Sequence, residues 1–527
     1  MRSRLYFVVA APVLLAMPFG TTRPTHSTAA ACESLVGVAL EGATISLAQP
    51  ITDGSFTPAG APNAITNLPP FCRVAGVIRP TSDSNILFEV WLPLNGWTGR
   101  FVGVGNGGWA GTISYGALAT QIRRGNAAGS TDTGHPSGPG FDQAKFAYGH
   151  SERLIDFAWR SVSEMTSKAK ALTRAFYEKH PDHSYWVGCS TGGKQGLMEA
   201  QRFPDDYDGI LAGAPANNWT RLMHATIDVT IAGLDSAGRL TLDDLKMLNR
   251  AVLSACDKLD GVEDGVLEDP RRCRFDVASL QCKADSATGT CLTLAQLATV
   301  RRVYGGPRDA RTGAQRYPGL AVGSEEAWQV LLNTDAPFPI PISFYRWVVL
   351  ADSQWNWKTF DARRPADYAA LQRADSQYAP LLSAIDPDLG RFRQRGGKLI
   401  QYHGWNDQLI AAENSIAYYE SVLARSGRDK ARALHDVQEF YRLYMVPGFY
   451  HCGGGTGPNV FDLQTALERW VEQKEAPEAV IATHSTNRVV DRSRPLCPYP
   501  KTAAYKGSGD TNDAASFECR DVKQPAK

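Results

Sequence analysis

Tyr185-Trp186-Val187-Gly188-Cys189-Ser190-Thr191-Gly192-Gly193, followed by Lys194-Gln195-Gly196-Leu197-Met198-Glu199-Ala200-Gln201, is the stretch that decides the fold. Its first three residues form an aromatic and β-branched run of strand type. From Lys194 onward most residues favour helix. Between the two runs lies a Gly-x-Ser-x-Gly turn. A strand, a sharp turn and a helix in that order lift a serine Oγ above a sheet edge. Glycines flank the serine because the turn is tight and neighbouring chains come close. In a chain with 48 glycines the spacing alone is weak, so other segments must carry the reading.

Working outward, residues 209–215 read as a second buried strand ending in a turn. Upstream, residues 151–178 predict one long amphipathic helix stopped by Pro181. Its apolar stripe is Ile155, Trp159, Val162 and Met165, continued by Ala169, Leu172 and Phe176. Residues 85–93 read as a strand, and Arg100-Phe101-Val102 starts another that runs into Gly103-Val104-Gly105-Asn106-Gly107-Gly108-Trp109. Downstream, Lys398-Leu399-Ile400-Gln401-Tyr402-His403 runs into Gly404-Trp405-Asn406-Asp407. Tyr441-Arg442-Leu443-Tyr444-Met445-Val446 runs into Pro447-Gly448-Phe449-Tyr450-His451-Cys452. Strands alternating with helices, with glycines at the joints, are the α/β pattern. Between residues 217 and 387 the alternation stops, and helical segments, cysteine couples and aromatic-rich loops take over. The expected architecture is an α/β-hydrolase fold with a large inserted lid domain. Residues 32–216 and 388–527 form the catalytic domain and residues 217–387 the lid. Phe344, Tyr345, Trp347, Trp355 and Trp357 suit either an apolar wall over the site or the core of the insertion itself.

The 527 residues carry a formal net charge of +1, with no long basic stripe, so a nucleic-acid partner is not expected. Arg2 and Arg4 precede an apolar run over residues 5–19, and Ala29-Ala30-Ala31 offers a small-residue cleavage site. Residues 1–31 therefore read as a signal peptide, and the mature chain as secreted or periplasmic. No later run is long and apolar enough for a membrane span, so no membrane association is expected after cleavage. Ten cysteines, with no C-x-x-C pair, favour disulfides in an exported chain. Cys256 with Cys273, Cys282 with Cys291 and Cys497 with Cys519 are short-range couples, although spacing alone leaves the pairing open.

Ser190, Asp407 and His451 each follow a strand and occur in the chain order of a hydrolase triad. Serine is a poor nucleophile at neutral pH. His451 would take its proton and return it to the leaving alkoxide, while Asp407 fixes the imidazole tautomer. The N–H of Thr191 and one from the loop near Gly108 would bind the oxyanion. Cys189 precedes the serine and Cys452 follows the histidine, so a triad would bring the two within disulfide reach. His403 precedes the acid and fits the order badly as the base; His135 and His150 read as structural or as supports behind the site. Gly103, Gly105 and Gly108 formally match a dinucleotide fingerprint with Asp132 downstream, so a nicotinamide-dependent oxidoreductase is the alternative from another class. The residues after Gly108 are poor helix material, which counts against it. Asp257-Lys258-Leu259-Asp260-Gly261-Val262-Glu263-Asp264-Gly265-Val266 packs acids between glycines. It reads either as a Ca2+ loop, through Asp257, Asp260 and Asp264 with the carbonyls of Val262 and Val266, or as an acidic surface turn.

Cys189-Ser190, Asp407 and His451-Cys452 resemble the CS-D-HC arrangement of the tannase/feruloyl esterase family. Similarity extends through the 103–108 loop, Thr131-Asp132-Thr133-Gly134-His135, the 257–266 loop and the tail Arg494-Pro495-Leu496-Cys497-Pro498-Tyr499-Pro500. The resemblance implies a secreted serine esterase that takes small esters of aromatic acids. It implies a structural Ca2+ held by Asp257, Asp260, Val262, Asp264 and Val266. It also implies bridges Cys32–Cys72, Cys189–Cys452, Cys256–Cys273, Cys282–Cys291 and Cys497–Cys519. The family includes enzymes acting on mono(2-hydroxyethyl) terephthalate, which have an acidic residue where this chain has Thr191, and a lid arginine that has no clear counterpart here, although Arg346 lies nearby. Feruloyl- or galloyl-type esters are therefore the expected substrates, and terephthalate esters the alternative.

Overall fold

The computed structural model describes residues 28–283 and 289–521. The proposed signal segment lies outside the described residues up to position 27, and its last residues fall in a short helix, Thr28–Glu33. Nine strands form one sheet: β1 (Ala43–Ile51), β2 (Phe71–Ile78), β3 (Ile86–Pro93), β4 (Arg100–Val104), β5 (Ala127–Thr131), β6 (His183–Cys189), β7 (Gly209–Gly213), β8 (Lys398–Gly404) and β9 (Tyr441–Val446). Their order across the sheet is β1-β2-β3-β5-β4-β6-β7-β8-β9. The first three strands and β5 pair antiparallel. From β5 through β9 every pairing is parallel. The strands from β4 to β9 therefore end on one edge of the sheet, where loops are free to carry chemistry.

Helices cover both faces, as a parallel sheet requires. One face packs α2 (Ser161–Tyr177), α3 (Thr191–Arg202) and α7 (Glu413–Ser426) through Met165, Leu172, Leu197, Met198 and Tyr419. The other packs α1 (Tyr115–Arg123) and α8 (Leu463–Gln473) through Leu118, Ile122, Leu467 and Trp470. Between β7 and β8 the chain leaves the sheet and builds a third core around α4 (Trp219–Ala232), α5 (Leu242–Cys256) and α6 (Leu294–Gly305). Both α5 and α6 begin on capping boxes, Thr241 with Asp244 and Thr293 with Gln296, which satisfy orphan N–H groups at each start. Phe344, Tyr345, Trp347 and Trp357 are buried in this third core, which also takes in Trp109, Leu154 and Phe157 from outside the insertion; Trp355 is only partly buried there.

The expected helix over 151–178 is interrupted. Ser151–Ile155 is α-helical, Asp156–Arg160 forms a π-turn, and α2 follows, ending at Tyr177 with Glu178 left-handed at φ 55°. A π-turn inserts one residue and rotates the preceding face. Leu154, Phe157 and Ala158 are consequently buried in place of Ile155 and Trp159. The buried Asp156 sits at the turn and pairs with Arg160 at 2.6 Å, one reason for the register change.

Glycine at 105 is a packing requirement. A Cβ there would stand 2.5 Å from the Gly192 Cα, where the loop after β4 lies against the start of α3. Backbone cannot yield as a flexible side chain can. Gly105→Ala is expected to cost about 1–3 kcal/mol in the denaturation midpoint through overpacking. An unchanged midpoint would mean that the loop does not sit on α3.

Candidate active site

Ser190 follows β6 directly, and its backbone is strained at φ 62°, ψ −122°. Such a conformation costs on the order of 1–3 kcal/mol and persists only where the surroundings hold it. Here Ser190 N–H donates to the Gly213 carbonyl at 2.9 Å. Its own carbonyl accepts from Lys194 at 3.0 Å and Ala216 at 3.1 Å. The strand, the turn and α3 thus stand where the sequence places them, and the serine is raised at the sheet edge.

Asp407 lies three residues beyond β8 and is fully buried. One carboxylate oxygen accepts from the backbone N–H of Leu409 at 2.8 Å and of Ile410 at 2.9 Å. The other lies 2.7 Å from His451 Nδ1 and 3.1 Å from His403 Nε2. Burial alone would push the carboxyl up; the charge of His451 and the hydrogen bonds from both imidazoles overcome that and hold it below its usual range. Burial pulls the His451 imidazole down, but the charge and hydrogen bond of Asp407 outweigh it and raise its pKa above the ordinary histidine value. His451 N–H donates to Gln408 Oε1 at 3.2 Å, tying the histidine loop to the acid loop. The Cys189–Cys452 disulfide, with Cα atoms 5.9 Å apart, joins the residue before Ser190 to the residue after His451. It closes a sequence separation of 263 residues, a constraint on the unfolded chain worth about 5–6 kcal/mol in the loop-entropy model. The other four bridges pair as the family resemblance implies, and none of the described cysteines is free.

Thr191 is the first residue of α3, so its N–H has no intrahelical partner. Its hydroxyl donates to the Gly108 carbonyl at 2.6 Å, bringing the two expected oxyanion residues together. Within the loop, Gly105 N–H is engaged by the Val187 carbonyl and Asn106 N–H by Gln195 Oε1. No hydrogen bond among the described residues uses the N–H of Gly107 or Gly108. The loop opens no helix, since α1 begins only at Tyr115, and Asp132 braces a turn by accepting from Leu87 and Gly134 N–H groups. The glycine segment therefore lacks the context of a dinucleotide fingerprint.

His135 is buried between carbonyls, with Nε2 2.7 Å from the Trp109 oxygen, and is stacked on Phe146; burial pulls its pKa to about 4. His150 pairs with Asp83 at the surface side. Both are structural, as expected. His403 was legible only as a poor rival for the base. Its Nδ1 lies 2.7 Å from Ser415 Oγ, and its Nε2 faces both Asp407 and the Ile410 carbonyl, so it braces the acid from behind. Lys194 gave no signal at all. It is fully buried with no hydrogen-bond partner for Nζ, which lies over the rings of Phe157 at 4.4 Å and Trp219 at 4.9 Å, and burial pulls its pKa to about 7.

In the 257–266 loop, Asp260, Val262, Asp264 and Val266 line one cavity of about 10 Å³ together with Glu268, room for one small occupant. Asp257 stands nearby with Oδ1 buried and unpartnered. Burial first, and then the charges of Asp264 and Asp257, push the Asp260 carboxyl up to about 6. Arg494 meets Asp264 Oδ2 at 2.5 Å. No three His, Cys, Asp or Glu side chains among the described residues converge on a metal position by themselves. The orphaned Asp257 oxygen and the crowded acids fit a hard cation completed by carbonyls.

Fold and site together define an α/β-hydrolase with an acid–histidine pair beside an elbow serine. The chain belongs to the tannase and feruloyl esterase family, whose model matches residues 72–520, and it is a carboxylic ester hydrolase. It is 37% identical over 547 residues to an uncharacterized esterase of Xanthomonas campestris pv. campestris, covering 96% of this chain and 94% of that protein. It is 36% identical over 469 residues to a probable feruloyl esterase B-2 of Aspergillus terreus, covering 85% of this chain and 86% of the relative. The crystal structure of feruloyl esterase B from Aspergillus oryzae superposes with a TM-score of 0.86 at 32% identity, covering 94% of this chain and all of that one.

With His451 as the general base, activity is expected to fall as pH drops through a pKa raised above the ordinary histidine value. Asp407→Asn removes the interactions that raise it. The acid limb of the kcat/KM profile should then move to lower pH, while kcat falls by on the order of 10⁴ through loss of the correct tautomer. An unmoved acid limb would show that Asp407 does not set the base.

Proposed function

We propose that this chain is an exported serine esterase that hydrolyses esters of phenolic acids, of feruloyl or galloyl type, through an acyl-enzyme. The observation that carries the reading is the His451–Asp407 hydrogen bond, cross-linked through Cys452 and Cys189 to the strained Ser190. Ser190 Oγ attacks the ester carbonyl as His451 Nε2 takes its proton. The tetrahedral oxyanion is met by Thr191 N–H and by an N–H of Gly107 or Gly108. On collapse the C–O bond to the alcohol breaks, and His451 gives its proton to the leaving alkoxide. Water, activated by the same imidazole, then releases the acid and restores the serine. Aromatic-acid specificity is supported by the names of the relatives and by Thr191, which is neutral where terephthalate-monoester hydrolases carry an acid. Residues 217–387 form the lid over this edge, and the first 31 residues direct export.

Ser190→Ala is expected to lower kcat by on the order of 10⁶ with the fold intact, read on methyl ferulate, methyl gallate, chlorogenate and a terephthalate monoester. Substantial residual hydrolysis would contradict the assignment. Fastest turnover of the terephthalate ester would overturn the substrate class.

Asp257, Asp260 and Asp264, with the carbonyls of Val262 and Val266, would hold a structural Ca2+, which would neutralise the crowded acids beside Arg494. An ion bound only by the native state stabilises it. Chelation should therefore lower Tm, and added Ca2+ should restore it. No shift with chelator would count against the site.

A further inference from the structure

An oxyanion hole needs two N–H donors held to within a few tenths of an ångström of the developing charge. The Thr191 donor is fixed by the elbow. The second comes from the loop after β4, whose run Gly105-Asn106-Gly107-Gly108 has little side-chain packing of its own to fix it. Gly105 N–H is held by the Val187 carbonyl at one end and the Gly108 carbonyl by the Thr191 hydroxyl at the other, so the stretch through Asn106 and Gly107 needs an anchor of its own.

Asn106 and Gln195 are both buried. Asn106 N–H donates to Gln195 Oε1 at 3.1 Å, and Gln195 Nε2 donates to Asn106 Oδ1 at 3.0 Å, closing a ring between loop and helix. The Asn106 carbonyl accepts from Gly192 N–H at 2.7 Å. Asn106 Nδ2 donates to the carbonyls of Thr131 at 2.9 Å, at the end of β5, and Thr112 at 3.0 Å. Since Nδ2 faces only carbonyls, Oδ1 must be the atom that faces Gln195. Gln195 must then donate there and accept from the backbone N–H, so both amide orientations follow from donor chemistry. Every polar group of Asn106 is thereby used.

We propose that the Asn106–Gln195 pair positions the middle of this loop, and with it the loop half of the oxyanion hole. Gln195 rides on α3 with Ser190 and Thr191 at its start. The ring therefore registers the loop against the rigid body that carries the nucleophile and the first donor. Asn106 extends the register to β5. The inference rests on the acyl-transfer reading above. Neither residue touches the reacting atoms, so both are positioning residues.

The test is Gln195→Met, similar in size and without the two polar groups, compared with the wild type after active-site titration. The expected result is a kcat per titrated site lowered about 10–100-fold with KM nearly unchanged, less than the loss of a whole oxyanion donor. Binding of an aryl boronate, which mimics the tetrahedral state, should weaken at least about tenfold relative to binding of the planar product acid. Gln195→Glu is the second variant. As the neutral acid it both accepts from Asn106 N–H and donates to Oδ1, so its kcat relative to wild type should rise toward low pH and fall as the acid ionises. Variants with a lower Tm or active fraction, but with wild-type kcat per site and wild-type boronate preference, would overturn the proposal, as would a pH-independent Gln195→Glu ratio. If Ser190→Ala retains hydrolysis, the acyl-transfer reading itself has failed. If Ser190→Ala is inactive while Gln195→Met keeps the boronate preference, only the positioning role falls.

Discussion

A carboxylate buried away from water, Asp407, is the constraint on which the rest of the site depends. An unpaired charge there would cost several kcal/mol, so it must be ringed by donors. It has four: two backbone N–H groups of its own loop and the rings of His403 and His451. Meeting that demand dictates much of the local structure. The acid loop must turn back on itself at Leu409 and Ile410. β8 must place His403 behind it, and the loop after β9 must deliver His451 in front. The backbone helps, since Trp405 N–H donates to Val446 and Asn406 N–H to Phe449. The raised pKa and fixed tautomer of His451 follow from the electrostatics of this one buried charge.

Against that fixed pair Ser190 is mounted separately, on a strained turn belonging to β6 and α3. Two devices set Ser190 in register with the elements around it. The Cys189–Cys452 bridge ties the serine turn to the histidine loop covalently, and hydrogen bonds from α3 tie it to the glycine loop. The insertion closes over the same edge. Trp109, immediately after the glycine loop, packs on Trp219 and Phe344 of the third core and donates to the Ile340 carbonyl. The insertion, the glycine loop and α3 therefore share one apolar contact region, with Lys194 at its base.

Much of this was legible in the chain because it rests on local signals. The strand–turn–helix around Ser190, the glycines of the close approach, and the order Ser190, Asp407, His451 are all properties of contiguous segments. The short-range cysteine couples were visible as spacing, although which cysteines pair came only from the family resemblance. What was not legible depends on tertiary placement. A π-turn at 156–160 leaves no mark on periodicity except a stripe that fits slightly out of phase, so Ile155 and Trp159 were read as core in place of Leu154 and Phe157. His403 looked like a failed base because its partnership with Asp407 exists only once β8 ends in a turn that folds the acid back beside it. Asn106 and Gln195 lie 89 residues apart, and nothing in either segment announces the other.

The most direct test of the central claim is to trap the acyl-enzyme. The protein would be mixed with a slowly deacylating aryl ester, quenched in acid, and its peptides mapped by mass. The account predicts one aryl-acyl increment, on the peptide carrying Ser190, that disappears in Ser190→Ala and fails to accumulate in His451→Ala. An increment on another residue, or steady hydrolysis with no covalent species under conditions where deacylation is blocked, would contradict it.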